Sequence, residues 1–325
     1  MLDSMFRAAL VLACALLWLH GPACAQAYPS RTVRIVIPFP PGGTSDILAR
    51  TLAQKLTDEW GQQVIAENRP GAAGNVASEH VAKSKPDGYT LLINTVGTHA
   101  INPAIYPNLP FDPVKDFTLI TNLVNLPSLL IVHPSVAATN AQELIALAKQ
   151  RPGALQYSSA GSGSQPHLTA EMFKTMAGVD VLHVPYKGAG PQLLAIISGE
   201  VTLTFATAPA AVPLVKNKQA RAIAVTSAER VAALPDVPTL NESALPGYVA
   251  VGWNGLAGPA AIPAPVLEKI HSAVAKIYQQ PDMRERLISL AAEPAISTTE
   301  EFTTLVKSEI VKWAKAVKDS GAKLD

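Results

Sequence analysis

The segment RTVRIVIPFPPGGTSDILARTLAQKL constrains the fold more than any other part of the chain. Val33 to Ile37 are mostly β-branched and read as a buried strand. PPGGT breaks that strand, and Ile47, Leu48, Leu52 and Leu56 then follow helical spacing up to Gly61. A buried strand running through a glycine turn into an amphipathic helix is a βα unit, and units of this kind build mostly parallel sheets. The pattern continues with a short strand around Gln63 to Glu67, a helix over 75–84 and the strand YTLLIN. A second α/β run begins near residue 126. It contains the strand LPSLLIVHP, the helix AQELIALAKQRPG ending at Gly153, and strand–loop–helix units at LQYSSAGSGSQPH and VLHVPYKGAG. The helix AGPQLLAIISG and the strands VTLTF and ARAIAVTS follow. LPDVPTLNESALPGY reads as a proline-rich connector, and the chain from about residue 263 is mainly helical. In the last helix Phe302, Leu305, Val306, Ile310, Trp313 and Val317 form an apolar stripe, the mark of a docking helix. The sequence carries no internal repeat.

A length of 325 residues suits two domains, and 48% hydrophobic residues supply two cores. Charged residues make up 16%, the net charge is +1, and no basic cluster offers a phosphate footprint, which argues against nucleic-acid binding. Residues 1–27 read as a secretory signal: Arg7, an apolar run from Ala8 to Leu19, then GPACAQA with small Ala25 and Ala27. Cleavage after Ala27 leaves Tyr28 as the mature start. The apolar run is shorter than the roughly 20 residues a membrane span needs. An uncleaved anchor and lipidation at Cys14 or Cys24 are the alternatives. Both cysteines lie in this leader, so the mature chain has no thiol nucleophile and no Cys-based metal site.

Four loops are candidates for function. In PFPPGGTSD, residues 38–46, a strand exit, a glycine pair and a helix start gather backbone N–H groups that favour an anion. Thr44 or Ser45 suits a helix cap or a carboxylate donor, and Asp46 suits the first helical turn. The spacing fits an anion cradle and an ordinary βα turn equally, and it matches neither a dinucleotide fingerprint nor a P-loop. SSAGSGSQPH, residues 158–167, again joins a strand to a helix, with hydroxyls at Ser158, Ser159, Ser162 and Ser164 and close backbone approach at Gly161 and Gly163. HVPYKGAG, residues 183–190, is a further strand exit, in which Lys187 reads as solvated and Tyr186 as a wall residue. NTVGTHA, residues 94–100, brings Thr95, Thr98 and His99 to the same region. None of the seven histidines forms an HxxxH, HxH or HExxH pattern, so no metal is expected. A triad of Ser164, His167 and Asp180 has nothing to orient it. Asp112 and Asp116 read as structural.

These segments carry a resemblance. YPSRTVRIVIPFPPGGTSDILAR, VIAENRPGAAGN, KPDGYTLLI, NPAIYPNLPFDPVKDF, YSSAGSGSQPHLTAEMFK, HVPYKGAGP, RAIAVTSAERVAALPDVPT, LPGYVAVGWNGLAGPA and the closing helix resemble the substrate-binding proteins of tripartite tricarboxylate transporters. The resemblance implies an α/β, two-lobed periplasmic-binding-protein fold (Venus flytrap, type II) with a ligand cleft between the lobes. One lobe is expected to take residues 28–125 plus 250–325 and the other 126–249. It implies a periplasmic receptor, not an enzyme, that takes a small organic carboxylate and passes it to membrane transporter subunits. The family's ligands are mostly carboxylates: di- and tricarboxylates, acidic amino acids, nicotinate-like and aromatic acids. Pro41, Gly42, Gly43 and Thr44 match the family's first carboxylate-cradling loop. Ser158, Gly161, Gly163 and Ser164 match the second, with His167 on its helix. The family commonly has Asp where this chain has Ala206, which disfavours an amino-acid ligand and leaves Thr207 to supply the polar contact. Neither cofactor nor metal is expected, and the chain is expected to act as a monomer. A ligand sensor for a membrane signalling partner would share fold and ligand, and an esterase or deaminase would need a nucleophile–base pair or metal cluster that the sequence lacks.

Overall fold

The computed structural model of the chain describes residues 28–320, so the leader lies outside it. Strands β1 (Val33–Ile37), β2 (Val64–Asn68) and β3 (Thr90–Thr95) are parallel, with β1 between the other two. Helices α1 (Thr44–Trp60) and α2 (Asn75–Ala82) connect them. Beyond β3 the sheet turns antiparallel through β9 (Val251–Pro259) and β4 (Phe117–Val132). It then continues into β7 (Leu203–Thr207), β5 (Gln156–Ser159) and β6 (Leu182–Pro185), the last three again parallel. β8 (Arg221–Val225) and β10 (Glu293–Pro294) both pair with β4.

β4 is shared between the two halves of this sheet. Phe117 to Pro127 pair with β9, whereas Ser128 to Val132 pair with β7. The order β2-β1-β3-β9-β4 in the first half is matched by β6-β5-β7-β4-β8 in the second. The topology therefore repeats although the sequence does not: burial and connection rules constrain strand order, and many side chains satisfy them.

Three elements differ from the sequence expectation. Residues 117–125 extend β4, yet FTLITNLVN lacks a clean apolar run. Where the register shifts, Thr121 Oγ1 donates to Ser297 O at 2.8 Å, and Asn122 N donates to Ser297 Oγ at 3.1 Å. VGWNGLAGP, given no element of its own in the sequence reading, forms a strand whose glycines make room for neighbours. The proline-rich connector contains a short helix, α8 in chain order (Leu240–Ser243), because Thr239 and Glu242 form a capping box.

Each face of the first half is covered by helices. Val33, Ile35 and Ile37 pack with Leu48, Leu52 and Leu56 of α1 and with Ile270, Val274 and Ile277 of α9 (Ala264–Tyr278). The opposite face, through Val36 and Leu92, shares one cluster with Tyr157, Leu168 and Phe173 of the second half. Phe302, Val306 and Trp313 of α11 (Thr299–Ser320) join that cluster, and all three are fully buried. The apolar stripe thus makes α11 the docking helix its sequence suggests, set against elements of both halves. Each such side chain contributes about 1.5–3 kcal/mol on burial. Asp112 and Asp116 are structural: Asp112 N donates to Asp116 Oδ2 at 2.7 Å, and the Asp112 carboxylate accepts from Val114 N and Lys115 N.

Candidate functional site

The loops singled out in the sequence all leave the carboxyl ends of parallel strands. Residues 38–43 follow β1 and 96–101 follow β3, while 160–164 follow β5, 186–188 follow β6, and Thr207 ends β7. In open α/β sheets that edge is where ligands bind, because helix N-termini and strand exits converge there. The two halves meet at Gly163. A Cβ added there would lie 2.7 Å from Ile105 Cδ1, on α3 (Asn102–Ile105) beyond β3.

The first loop is held by its own carboxylate. Asp46, 5% exposed, accepts from Gly42 N at 3.0 Å, from Arg50 Nε at 3.0 Å and from Asn68 Nδ2 at 2.9 Å. Burial alone would raise its carboxyl, but these donors hold it below the usual carboxylate range. Asn68 also donates to Phe39 O at 3.0 Å, so the loop is braced from β2. Pro41, Gly42 and Gly43 are exposed and Thr44 is half-buried. No side chain caps α1, so the N–H groups of its first turn have no intrahelical acceptor. Ser45 does not cap; its Oγ accepts from Asn254 Nδ2 of β9 at 2.9 Å.

The second loop is likewise bonded to itself. Gly161 N donates to Ser159 Oγ at 3.2 Å, Gly163 N to His167 Nδ1 at 2.9 Å, and Ser164 N to Gly161 O at 3.1 Å. Three backbone N–H groups of the loop are therefore already used. Ser158 is fully buried, and its hydroxyl donates to Gln192 O at 3.1 Å. Ser164 opens α5 (Gln165–Ala177) without capping it, and its buried Oγ has no partner. The loop after β6 lies alongside: Tyr186 N donates to Ser159 O at 3.0 Å and Gly188 N to Ala160 O at 3.2 Å, while Lys187 is exposed.

Behind this loop three rings are stacked. The His167 and His183 centroids are 4.1 Å apart at 5°, and Tyr157 lies on His183 at 4.8 Å. His183 Nε2 is 2.6 Å from Ser159 Oγ. Sequence reading named His167 but not His183, since a histidine within a strand exit carries no spacing signal. Asn68, Ile105 and Asn254 escaped it because their partners are distant in sequence, whereas Arg50 pairs with Asp46 only four residues before it.

The turn after β3 is locked inward. Thr95 N donates to Thr98 Oγ1 at 3.0 Å, and Thr98 N donates to Thr95 Oγ1 at 3.2 Å. Thr98 and His99 are fully buried. The His99 ring packs on Phe117 at 4.6 Å, and burial lowers its pKa to about 3, so it stays neutral. Thr98, His99 and Ser158 thus shape the loops from behind. Thr207 is half-buried at the end of β7, while Ala206 packs beside Leu129 and Val225. A carboxylate at position 206 would meet aliphatic neighbours. Among the described residues no group of three or more His, Cys, Asp or Glu could hold a metal, and no helix is long and apolar enough to cross a membrane.

Two half-sheets joined through β4 and β9, with glycine loops and uncapped helix starts at facing strand ends, define a two-lobed solute-binding protein. The comparisons agree in particular. The family model described as "Tripartite tricarboxylate transporter family receptor" matches residues 48–322, and the chain belongs to that family. Its fold is the two-lobed periplasmic-binding-protein fold. An R. palustris protein solved with adipate is 37% identical, with a TM-score of 0.84 over 92% of this chain and 100% of that one. Periplasmic binding protein BugD is 31% identical, with a TM-score of 0.80 over 92% and 100%. MatC from Rhodopseudomonas palustris, solved with bound malate, is 33% identical, with a TM-score of 0.78 over 89% and 100%. The chain is a solute-binding receptor rather than an enzyme.

Proposed function

We propose that the chain is exported, cleaved after Ala27, and works in the periplasm as a monomeric receptor. It captures a small organic carboxylate by cleft closure and delivers it to membrane transporter subunits. One lobe comprises residues 28–125 plus 250–325 and the other 126–249. The observation that carries the ligand class is the pair of uncapped helix starts, at Thr44 and Gln165, one in each lobe. Each contributes roughly 0.3–1 kcal/mol of favourable field for a negative group, and charge-assisted hydrogen bonds add about 1.5–3 kcal/mol each. The contact set is Pro41, Gly42, Gly43 and Thr44 from one side and Gly161, Gly163, Ser164 and Thr207 from the other. Thr95, Thr98, His99, Ser158 and His167 position them. The Ser164 hydroxyl, buried and unpartnered, is the donor best placed to be satisfied by a ligand oxygen.

The relatives solved with adipate and malate support a dicarboxylate as first choice. A thermal-shift screen tests it, since a ligand that binds only the folded state stabilises by about 2.7 kcal/mol at a hundred times its Kd. Adipate, malate and other di-, tri- and monocarboxylates are compared with their uncharged amides. Stabilisation by a carboxylate and not by its amide is expected. Stabilisation by none of the acids, or equally by the amides, overturns the reading. N-terminal mass analysis of protein from the native host should give Tyr28 as first residue; an intact or lipid-modified leader refutes cleavage after Ala27.

A further inference from the structure

We infer that Gln165 is a positioning residue coupling the second ligand loop to the strands on which the lobes hinge. This rests on the receptor reading above for its use, but its geometry is independent of any ligand. Gln165 is the first residue of α5, directly after Ser164. Its side chain points to the two segments that carry the chain between lobes. On β4, Ser128 Oγ accepts from Gln165 Nε2 at 3.4 Å. On β9, a Cβ built at Gly252 would lie 2.8 Å from both Nε2 and Oε1 of Gln165 and 3.0 Å from its Cδ. The amide therefore lies flat over the Gly252 backbone. Gly252 is buried and has no positive φ, so what a Cβ there would meet is the end of the Gln165 side chain rather than backbone strain.

The contact falls where pairing changes. Gly252 pairs with Leu126, and the partner of β4 switches between Pro127 and Ser128. Around that point the backbone is tied in a ring. Ser128 N donates to Thr226 Oγ1 at 2.9 Å, and Thr226 N donates to Ser128 O at 2.9 Å. Thr226 Oγ1 donates to Ala250 O at 2.6 Å, and Ala250 N donates to Thr226 O at 2.9 Å. Thr226 thus fixes the crossing strands to each other, and Gln165 is the group that reaches them from the ligand loop. Rotation of one lobe changes the relation of Ser128 to Gly252, and the amide transmits this to Ser164 one residue away. Conversely, a ligand that orders the loop narrows the range of hinge angles.

The test reads the hinge directly in ligand-free protein. The cysteine-free mature chain takes spin labels at Lys85→Cys and Lys216→Cys, exposed positions in different lobes. The distance distribution between the labels is compared in wild type, Gln165→Ala, Gln165→Met, Gly252→Ala and Gln165→Ala/Gly252→Ala, with circular dichroism confirming the fold. Gln165→Met keeps the chain length and removes the amide. We expect a broader distribution in both Gln165 variants and a displaced mean in Gly252→Ala. We expect no further change when Gly252→Ala is added to Gln165→Ala, because the clash partner is gone. Titration with adipate should show at least fivefold weaker binding in Gln165→Ala. A merely structural Gln165 would lower Tm and leave label distances unchanged. Distributions that superimpose on wild type, or additive effects of the two substitutions, overturn the inference. If wild type binds no carboxylate, the receptor reading fails, while the label distances still decide the coupling.

Discussion

Gly163→Ala separates strain in the ligand loop from contact across the cleft. Gly163 has φ +75°, where a Cβ costs about 1–2 kcal/mol. That cost belongs to the loop at every hinge angle, and it should appear as a Tm lowered by several degrees in the ligand-free protein. The second penalty is different in kind. The new Cβ would lie 2.7 Å from Ile105 Cδ1 and 3.6 Å from Ile105 Cγ2, in the other lobe. On the cleft-closure reading it acts only when the lobes are close, so it opposes closure and not folding. Overpacking costs about 1–3 kcal/mol, and the end of a flexible side chain gives way at the low end of that range. About 1 kcal/mol corresponds to roughly a fivefold rise in Kd. Calorimetric titration with the best acid from the screen, in wild type, Gly163→Ala, Ile105→Ala and the double variant, measures it. The affinity loss should vanish in the Ile105→Ala background while the Tm loss persists. An affinity loss that survives Ile105→Ala, or an unchanged Kd in Gly163→Ala, refutes the assignment of this contact to cleft closure.

Three further outcomes follow from particular residues. Burial lowers the folded-state pKa of His99 to about 3 from 6.5, so between those values the unfolded chain takes up a proton that the folded one refuses. Its contribution is complete above pH 6.5 and falls by about 1.4 kcal/mol per pH unit toward pH 3. Urea unfolding of wild type and His99→Leu across that window should show the smaller acid slope in the variant, and parallel slopes would contradict the burial argument. Gly255→Ala would put a Cβ 2.1 Å from Phe302 Cζ and 2.8 Å from Asn94 Oδ1, and it should destabilise by about 1–3 kcal/mol, relieved only in part in the Phe302→Ala background; an unaltered denaturation midpoint refutes it. Asp46→Ala removes the acceptor of Gly42 N, Arg50 and Asn68, and should weaken ligand binding at least fivefold in titration calorimetry; an unchanged Kd refutes a positioning role.

The parallel βα units were legible because strand, glycine turn and helix are adjacent in sequence and each has its own period. β1, α1, β5 and the stripe of α11 are of this kind. What joins the halves was not legible. β4 extends nine residues N-terminal of its apolar part, and there the Thr121 hydroxyl and the Asn122 backbone N–H bond to Ser297 from near the end of the chain. β9 carries no local strand signal of its own, and Phe302 and Gln165 occupy the space beside Gly255 and Gly252. A polar or glycine residue in a strand is explained only by its cross-chain partner, and no local pattern contains that partner. The site divides in the same way. Its loops were visible, but which N–H groups remain available depends on Asp46, Ser159 and His167 already accepting from them.

That internal bonding changes how the proposed site works. Gly42, Gly161 and Gly163 do not offer free N–H donors; their bonds to Asp46, Ser159 and His167 hold the loops in shape before a ligand arrives. Ordering a loop on binding costs about 1–2 kcal/mol per residue in backbone entropy, so loops ordered in advance leave more of each ligand contact as affinity. On the proposed reading the ligand then meets hydroxyls at Thr44, Ser164 and Thr207 and the first turns of two helices. Hydroxyls rotate to donate or accept, and the helix starts favour any negative group placed before them, so such a lining recognises negative charge and length more than the detail between two carboxylates. On the proposed reading, selectivity among diacids of different length comes from the lobe spacing at which Ile105 meets Gly163, and that spacing is what the hinge contact of Gln165 sets.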